Sequence, residues 1–135
     1  MKEFHTKTKG SIAEMAVATR LIEEGWHVLF PVGENTRYDL VAERNGHFIK
    51  IQVKYVTPQN GFLEVNCRSC NNWSILHYTE KEIDFIAAYN SRDKKIYFIP
   101  VSKLNNSSFN LRLDKSKNNQ KTKIHFADDF LTLDI

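Results

Sequence analysis

Three side chains whose types suit cation and phosphate binding fall around a predicted β-hairpin. Two alternating, β-rich runs flank Asn45-Gly46, a pair that is typical of a two-residue type I′ turn. If these two residues form the loop, Asp39 lies directly opposite Gln52. Side chains alternate between the faces of a strand, so Asp39, Gln52 and Lys54 are predicted to project from one face. An acid, an amide oxygen and an ammonium placed together in this way could hold a cation and a phosphate.

The same register predicts the remaining neighbours in the hairpin. Arg37 is expected opposite Lys54. The other face of the second strand is predicted to be a core face, because its residues are apolar or aromatic: Ile49, Ile51, Val53 and Tyr55.

A predicted first helix brings a fourth candidate, Glu14. The helix is expected to begin at a cap on Thr6 or Thr8 and to run to about Glu24, with Gly25 as its stop. The residues three, four and seven positions after Glu14 are apolar, so this carboxylate is expected on an apolar stripe. They are Val17, Ala18 and Leu21.

A carboxylate on an apolar stripe is costly unless it is paired or binds a metal ion. Taken alone, Glu14 could reach water at the helix edge or pair with Arg20 or a lysine. Together with Asp39 and Lys54, a metal site is the favoured interpretation.

Other apolar runs predict the scaffold for these residues. Further strands are expected at residues 26–30, 62–67, 84–89 and 96–101. Residues 62–67 are expected to form a third hairpin-connected strand or a continuation of the hairpin. No linker or internal repeat interrupts the pattern. Strands that follow a single helix predict a central sheet covered by a small number of helices, and exclude a helix bundle.

Composition predicts one soluble globular domain. The chain has 135 residues, of which 41% are hydrophobic and 26% charged, enough apolar mass for a single core. It lacks an apolar run near eighteen residues, so no membrane span is expected. The N-terminus is charged and has no apolar segment typical of a secretory signal. Together with only two cysteines, this predicts a reducing cytoplasm.

The positive charge is concentrated towards the C-terminus. Residues 92–123 contain nine Lys or Arg against two Asp, and such a field attracts polyanions. A solvated charged segment is the alternative. Phe109, Leu111 and Leu113 alternate within it, which predicts a strand.

The two cysteines, Cys67 and Cys70, have the C-x-x-C spacing of half a zinc site. No second pair exists, so two ordinary thiols are favoured over a structural zinc site.

The ordered set of a helix Glu, a strand Asp and a Q-x-K run resembles the PD-(D/E)XK nuclease superfamily. It is most similar to the small branch that contains bacterial group I intron homing endonucleases. The resemblance covers roughly residues 7–103. The matching pieces are Lys9-Gly10 with Glu14, then residues 25–28 with Pro31, and residues 37–40, 51–54, 84–86 and 97–100.

This resemblance implies a restriction-endonuclease-like α/β core, with a central mixed β-sheet flanked by helices. It also implies that Asp39 is the main ligand of a divalent metal ion and Glu14 a second ligand. The ion would be Mg²⁺, which prefers hard oxygens, with Mn²⁺ as a substitute. Lys54 would contact the scissile phosphate, help to orient or deprotonate the attacking water and stabilise the transition state.

Gln52 departs from the superfamily pattern, in which an acid usually precedes the lysine by two. Its amide oxygen can still coordinate but carries no charge, so we expect weaker metal binding. The small homing branch shares this glutamine, so the departure favours that branch.

The expected activity is metal-dependent, sequence-specific cleavage of double-stranded DNA by a single domain, residues 1–135. One site cuts one strand, so a double-strand break implies a homodimer or a higher homo-oligomer. DNA is expected to contact residues 71–78 and a basic segment at about 104–125. The candidate contacts are Arg37, Arg112, Lys115, Lys117, Lys121 and Lys123. The alternatives are a Holliday-junction-resolvase-like nuclease, which reads branched shape, and a non-catalytic DNA-binding module on the same fold.

Overall fold

The computed structural model describes most of the chain. It covers residues 3–33, 35–66, 68–71, 74–77, 82–104, 108–114 and 125–133, with the backbone alone described for residues 68–71 and 74–77.

The first helix, α1 (Thr6–Glu23), is capped by a residue that the sequence did not suggest. The Nδ1 atom of His5, whose backbone is extended, accepts a hydrogen bond from the N–H of Lys7 at 3.2 Å. The predicted caps are wrong, because Thr6 and Thr8 both lie inside the helix. At the C-terminal end, Gly25 has φ +93°, the left-handed conformation that ends many helices.

Ten strands are present in the described part of the chain. In chain order they are β1 (His27–Leu29), β2 (Leu40–Arg44), β3 (His47–Val56), β4 (Phe62–Asn66), β5 (Arg68–Asn71), β6 (Ser74–His77), β7 (Phe85–Asn90), β8 (Ile96–Pro100), β9 (Ser108–Arg112) and β10 (His125–Phe126). Two short 3₁₀ helices follow β8 and β10, at Val101–Lys103 and Ala127–Phe130.

The central sheet has five strands in the order β1-β2-β3-β7-β8. Strands β3 and β7 are parallel, and the other neighbours are antiparallel. This is the central mixed sheet that the family resemblance implied. Strand β3 has β2 on one edge and β7 on the other, so β4 cannot join this sheet beside it. Instead β4 belongs to a second sheet with the order β10-β9-β4.

Each face of the central sheet has its own hydrophobic core. On one face, the predicted core residues Ile49, Ile51 and Val53 are buried with Val17 and Leu21 of α1. On the other face, the second sheet contributes a separate cluster, which includes Leu63, Val65, Phe109, Leu111, Ile86 and Ile99. The central sheet is therefore fixed from both sides, by the helix on one and by the second sheet on the other. Among the described residues, no helix combines the length and the apolar character required to cross a bilayer.

Candidate active site

The hairpin register predicted from the sequence is the one observed. Strand β2 pairs with β3 from Arg44↔His47 next to the turn to Leu40↔Ile51 at its far end. Asn45 and Gly46 both have positive φ values, 54° and 81°, as a type I′ turn requires. The alternation along β3 places Gln52 and Lys54 on the face opposite the one packed against α1.

Asp39 lies one residue before β2, where the chain bends towards β3. Its N–H donates to the carbonyl oxygen of Ile51 at 2.8 Å. Its Oδ2 accepts two hydrogen bonds, from Gln52 Nε2 at 2.9 Å and from the Val53 N–H at 2.7 Å. The predicted contact between Asp39 and Gln52 is therefore present. Asp39 makes it from a position outside the paired residues of β2.

One predicted pairing is wrong because the pairing of β2 with β3 ends early. Arg37 was expected opposite Lys54, but the last paired residue of β2 is Leu40. The Asp39 carboxylate takes the Val53 N–H that a continued β2 would use. Arg37 instead forms an ion pair with Glu82, with 2.8 Å between Nε and Oε2.

The electrostatics of the two carboxylates connect Glu14 to Asp39. Partial burial raises the pKa of Asp39 above its ordinary value, while the Val53 N–H and the charge of Lys54 act in the opposite direction. Burial also raises the pKa of Glu14, and the negative charge of Asp39 raises it further. The fold thus holds two partly buried acids, and the negative charge of Asp39 disfavours ionisation of Glu14.

Gly10 lies one turn before Glu14 on α1. A Cβ atom on Gly10 would lie 4.0 Å from Glu14 Oε2, at ordinary van der Waals distance. The Glu14 carboxylate therefore lies beside Gly10, towards the start of the helix. Lys9, the preceding residue, has its ammonium 5.7 Å from the ring centroid of Tyr55, so the start of α1 lies near the end of β3.

The donor set in this region fits a hard divalent cation. Asp39 and Glu14 offer carboxylate oxygens, and neither hydrogen bond described for Asp39 uses its Oδ1. Gln52 presents its amide nitrogen to Asp39, and a half-turn of the amide would present its oxygen instead. Oxygen ligands of this kind are those that Mg²⁺ prefers. Within the described residues, no group of three or more His, Cys, Asp or Glu side chains could hold a metal ion, so a site here has two carboxylates and the amide as its candidate protein ligands.

Of the remaining candidate DNA contacts, Arg112 is the one that lies within the described residues. Arg112, at the end of β9, has its guanidinium over the ring of Phe62, 5.1 Å from the centroid. Four predicted DNA contacts lie outside the described residues, namely Lys115, Lys117, Lys121 and Lys123. Cys67 also lies outside them, and only the backbone of Cys70 is described.

Sequence reasoning missed two partners of the site. The Val53 N–H is bound by the Asp39 side chain, and backbone donors leave no signal in residue types. Glu82, the partner of Arg37, is far away in the sequence, and no local pattern around it pointed to this contact.

Comparison with known proteins identifies the family of the chain and confirms the restriction-endonuclease-like fold. A family model described as PD-(D/E)XK endonuclease matches residues 4–133. The chain belongs to the PD-(D/E)XK endonuclease family. This membership confirms the resemblance drawn from Glu14, Asp39 and the Q-x-K run, and makes the chain a nuclease by family.

Twelve chains of known structure match this PD-(D/E)XK endonuclease. One is a bacterial homing endonuclease, I-Ssp6803I, with 30% identity and a TM-score of 0.76, over 94% of this chain and 88% of the other. Another is Hjc, a Holliday junction resolvase from Archaeoglobus fulgidus, with 16% identity and a TM-score of 0.48, over 77% of this chain and 84% of the other. No curated protein sequence matches.

Proposed function

We propose that this PD-(D/E)XK endonuclease is a Mg²⁺-dependent, sequence-specific enzyme that cuts double-stranded DNA. The observation that carries the proposal is the position of the Asp39 carboxylate. It is held by Gln52 and Val53, lies within electrostatic range of Glu14 and Lys54, and has a pKa raised by burial. The similarity to a bacterial homing endonuclease over nearly the whole chain supports the same activity.

In this proposal Asp39 and Glu14 hold the metal ion, and the amide oxygen of Gln52 completes the protein ligands. The ion, when bound, supplies the positive charge that polarises the scissile phosphate. Asp39 is fixed by the Val53 N–H, so its second oxygen needs little reorganisation to act as a ligand. Because Gln52 is neutral, we expect weaker metal binding than an acid at this position would give.

Lys54 is assigned to the phosphate. It follows Gln52 by two residues on β3 and therefore lies on the same face. Its ammonium would hold a phosphate oxygen and orient the attacking water. In the hydrolysis, the water oxygen forms a bond to phosphorus and loses a proton to solvent. The bond from phosphorus to the leaving sugar oxygen breaks, and that oxygen takes up a proton from solvent. Lys54 stabilises the negative charge that develops on the phosphate oxygens.

The proposal extends to assembly and to DNA contacts. Two sites are needed for a double-strand break, so we infer a homodimer or a higher homo-oligomer. Residues 1–135 are taken to act as one nuclease domain. Its basic segment, at about 104–125, includes Arg112 and is taken to bind the phosphate backbone. Phosphate contacts of this kind dominate affinity in protein–DNA complexes.

The test is cleavage of genomic DNA from the organism that encodes the protein, in Mg²⁺, with every new end mapped. We expect ends at one recurring sequence, and the Asp39→Asn variant serves as the matched control. Ends that are absent, random, or equally frequent with Asp39→Asn would refute the proposal. A synthetic four-way junction, added at equal concentration, should be cut more slowly than the mapped linear site. Faster cutting of the junction would favour the resolvase alternative.

A further inference from the structure

A cleft of about 500 Å³ leads away from the candidate catalytic lysine. Lys54 and Thr57, from β3 and the residue after it, line one side. Glu64, Asn66 and Asn110, from β4 and β9, line the other side. The cleft thus joins the assigned phosphate-binding residue to a sheet surface for which the proposed mechanism has no use.

That surface is the outward face of the β4–β9 pair. The inward residues, Leu63, Val65, Phe109 and Leu111, are buried in the second core. The outward residues form three cross-strand pairs, and none of the six is buried. The pairs are Phe62↔Arg112, Glu64↔Asn110 and Asn66↔Ser108.

Five of these six outward side chains have hydrogen-bonding groups. Arginine pairs with the edge of guanine, asparagine with that of adenine, and glutamate accepts a hydrogen bond from the amino group of cytosine. The major groove of B-DNA is wide enough for a two-stranded β-ribbon. Along a strand, outward residues repeat every ~6.8 Å, which is about two steps of the 3.4 Å rise along each DNA strand. Three pairs therefore span about four base-pair steps.

The surface is also pre-organised. The Arg112 guanidinium lies over Phe62, and its Nε donates to the carbonyl oxygen of Asp114 at 3.0 Å. The buried side chains on the other face fix both strands, so little conformational entropy is lost on binding.

Glu64 is the most informative residue of the surface. A carboxylate close to DNA is repelled by phosphates, so it opposes binding that does not depend on sequence. The same carboxylate, facing a cytosine amino group, gains a hydrogen bond that other bases at that position do not offer. Its placement opposite Asn110 and within the cleft is therefore suited to discrimination between sequences.

We propose that the outward face of β4 and β9 reads base edges in the major groove next to the cleavage site, with Glu64 and Asn110 as its specificity-determining pair. The inference rests on the proposed function, since it takes DNA as the substrate and Lys54 as the residue at the scissile phosphate. Ser108, Asn110 and Arg112 of this surface belong to the basic segment at residues 104–125, so the inference assigns base edges as well as phosphates to that part of the segment. It also adds β4, and residues 71–78 are not part of the surface.

The experiment is a binding selection from a library of random duplexes, with Ca²⁺ in place of Mg²⁺. The parent, Glu64→Gln and Asn110→Ala are compared with Glu23→Gln, which removes the same charge from an exposed site. Glu23 lies nine residues after Glu14 on α1, about 13 Å along the helix. We expect Glu64→Gln and Asn110→Ala each to lose about five- to 150-fold of discrimination at one or two adjacent positions. Preferences elsewhere in the site, and those of Glu23→Gln, should match the parent.

Binding and cleavage are scored separately, so the two proposals can fail independently. If the parent selects a sequence but does not cut it in Mg²⁺, the nuclease proposal fails and the base-reading test still stands. Identical base preferences in the parent, Glu64→Gln and Asn110→Ala would overturn the inference, as would a parent with no preference. Glu64→Gln is isosteric and exposed, so it should unfold at the same temperature as the parent, which keeps the comparison valid if Asn110→Ala is destabilised.

Discussion

Replacing Asp39 by Asn or by Ala separates two roles of one carboxylate. In the proposed mechanism its charge binds the metal ion. In the fold, its Oδ2 accepts hydrogen bonds from Val53 and Gln52. Asn removes the charge but keeps an oxygen for the Val53 N–H, whereas Ala removes both. The two variants should therefore lose the same activity and differ in stability.

The expected magnitudes follow from these contacts. A unit charge 4 Å from another contributes about 4 kcal/mol at an effective dielectric constant near 20. Either variant should therefore cut about 1,000-fold more slowly than the parent. Ala leaves the half-buried Val53 N–H without its acceptor, which costs about 1–3 kcal/mol of unfolding free energy. At about 3–5 °C per kcal/mol for a chain of this size, Tm falls by roughly 3–15 °C. Asn should hold Tm within about 3 °C of the parent, because burial already disfavours the charge it removes.

The assays are cleavage of a plasmid that carries the mapped site, thermal unfolding without metal, and duplex binding in Ca²⁺. Binding should persist in both variants, since phosphate contacts elsewhere dominate affinity. Cleavage by Asp39→Ala at the parental rate would show that the assigned centre is wrong. Equal Tm values for Asn and Ala would instead refute the structural role given to the hydrogen bond with Val53.

Three further predictions test the neighbours of Asp39 and the basic segment. The raised pKa values of Asp39 and Glu14 mean that the unfolded chain ionises first, so metal-free stability should fall as pH rises from about 4 through the raised values. Thermal unfolding in EDTA should show this fall relative to the Asp39→Asn, Glu14→Gln double variant, and a pH-independent difference would contradict it. Gln52→Ala should raise the Mg²⁺ requirement about ten- to hundredfold and Gln52→Glu should tighten metal binding. An unchanged requirement in Mg²⁺ titrations of Gln52→Ala would mean that this amide is not a ligand. Replacing Lys121 and Lys123 by Ala should lower the slope of log affinity against log salt by about two, with catalysis on saturated DNA unchanged. An unaltered slope would remove the segment from the interface.

The parts of the fold that local patterns determine could be predicted from the sequence. Asn45-Gly46 determined the turn type, and the turn determined which residues of β2 and β3 pair. The two-residue alternation along β3 then separated the core face from the face of Gln52 and Lys54. Every step involved residues close together in the chain, where turn geometry and side-chain alternation leave few other solutions.

Contacts between distant segments could not be predicted in this way. The strand at residues 62–67 was expected to continue the hairpin-connected strands, but β4 (Phe62–Asn66) pairs with β9 far along the chain. Its alternation of buried and exposed residues fits any sheet with one solvent-facing side, so the pattern does not identify the partner strand. The ion pair of Arg37 with Glu82 escaped prediction for the same reason.

The raised pKa values connect the fold to the proposed function. The packing of α1 on the hairpin holds Glu14 close enough to Asp39 for the negative charge of Asp39 to raise the pKa of Glu14. A protein selected only for stability would gain by replacing one of these acids with an amide. A divalent cation between them removes the repulsion and should stabilise the folded state in proportion to its binding. Stabilisation by Mg²⁺ that disappears in the Asp39→Asn, Glu14→Gln double variant would therefore measure, without any cleavage assay, how strongly these two acids bind the ion.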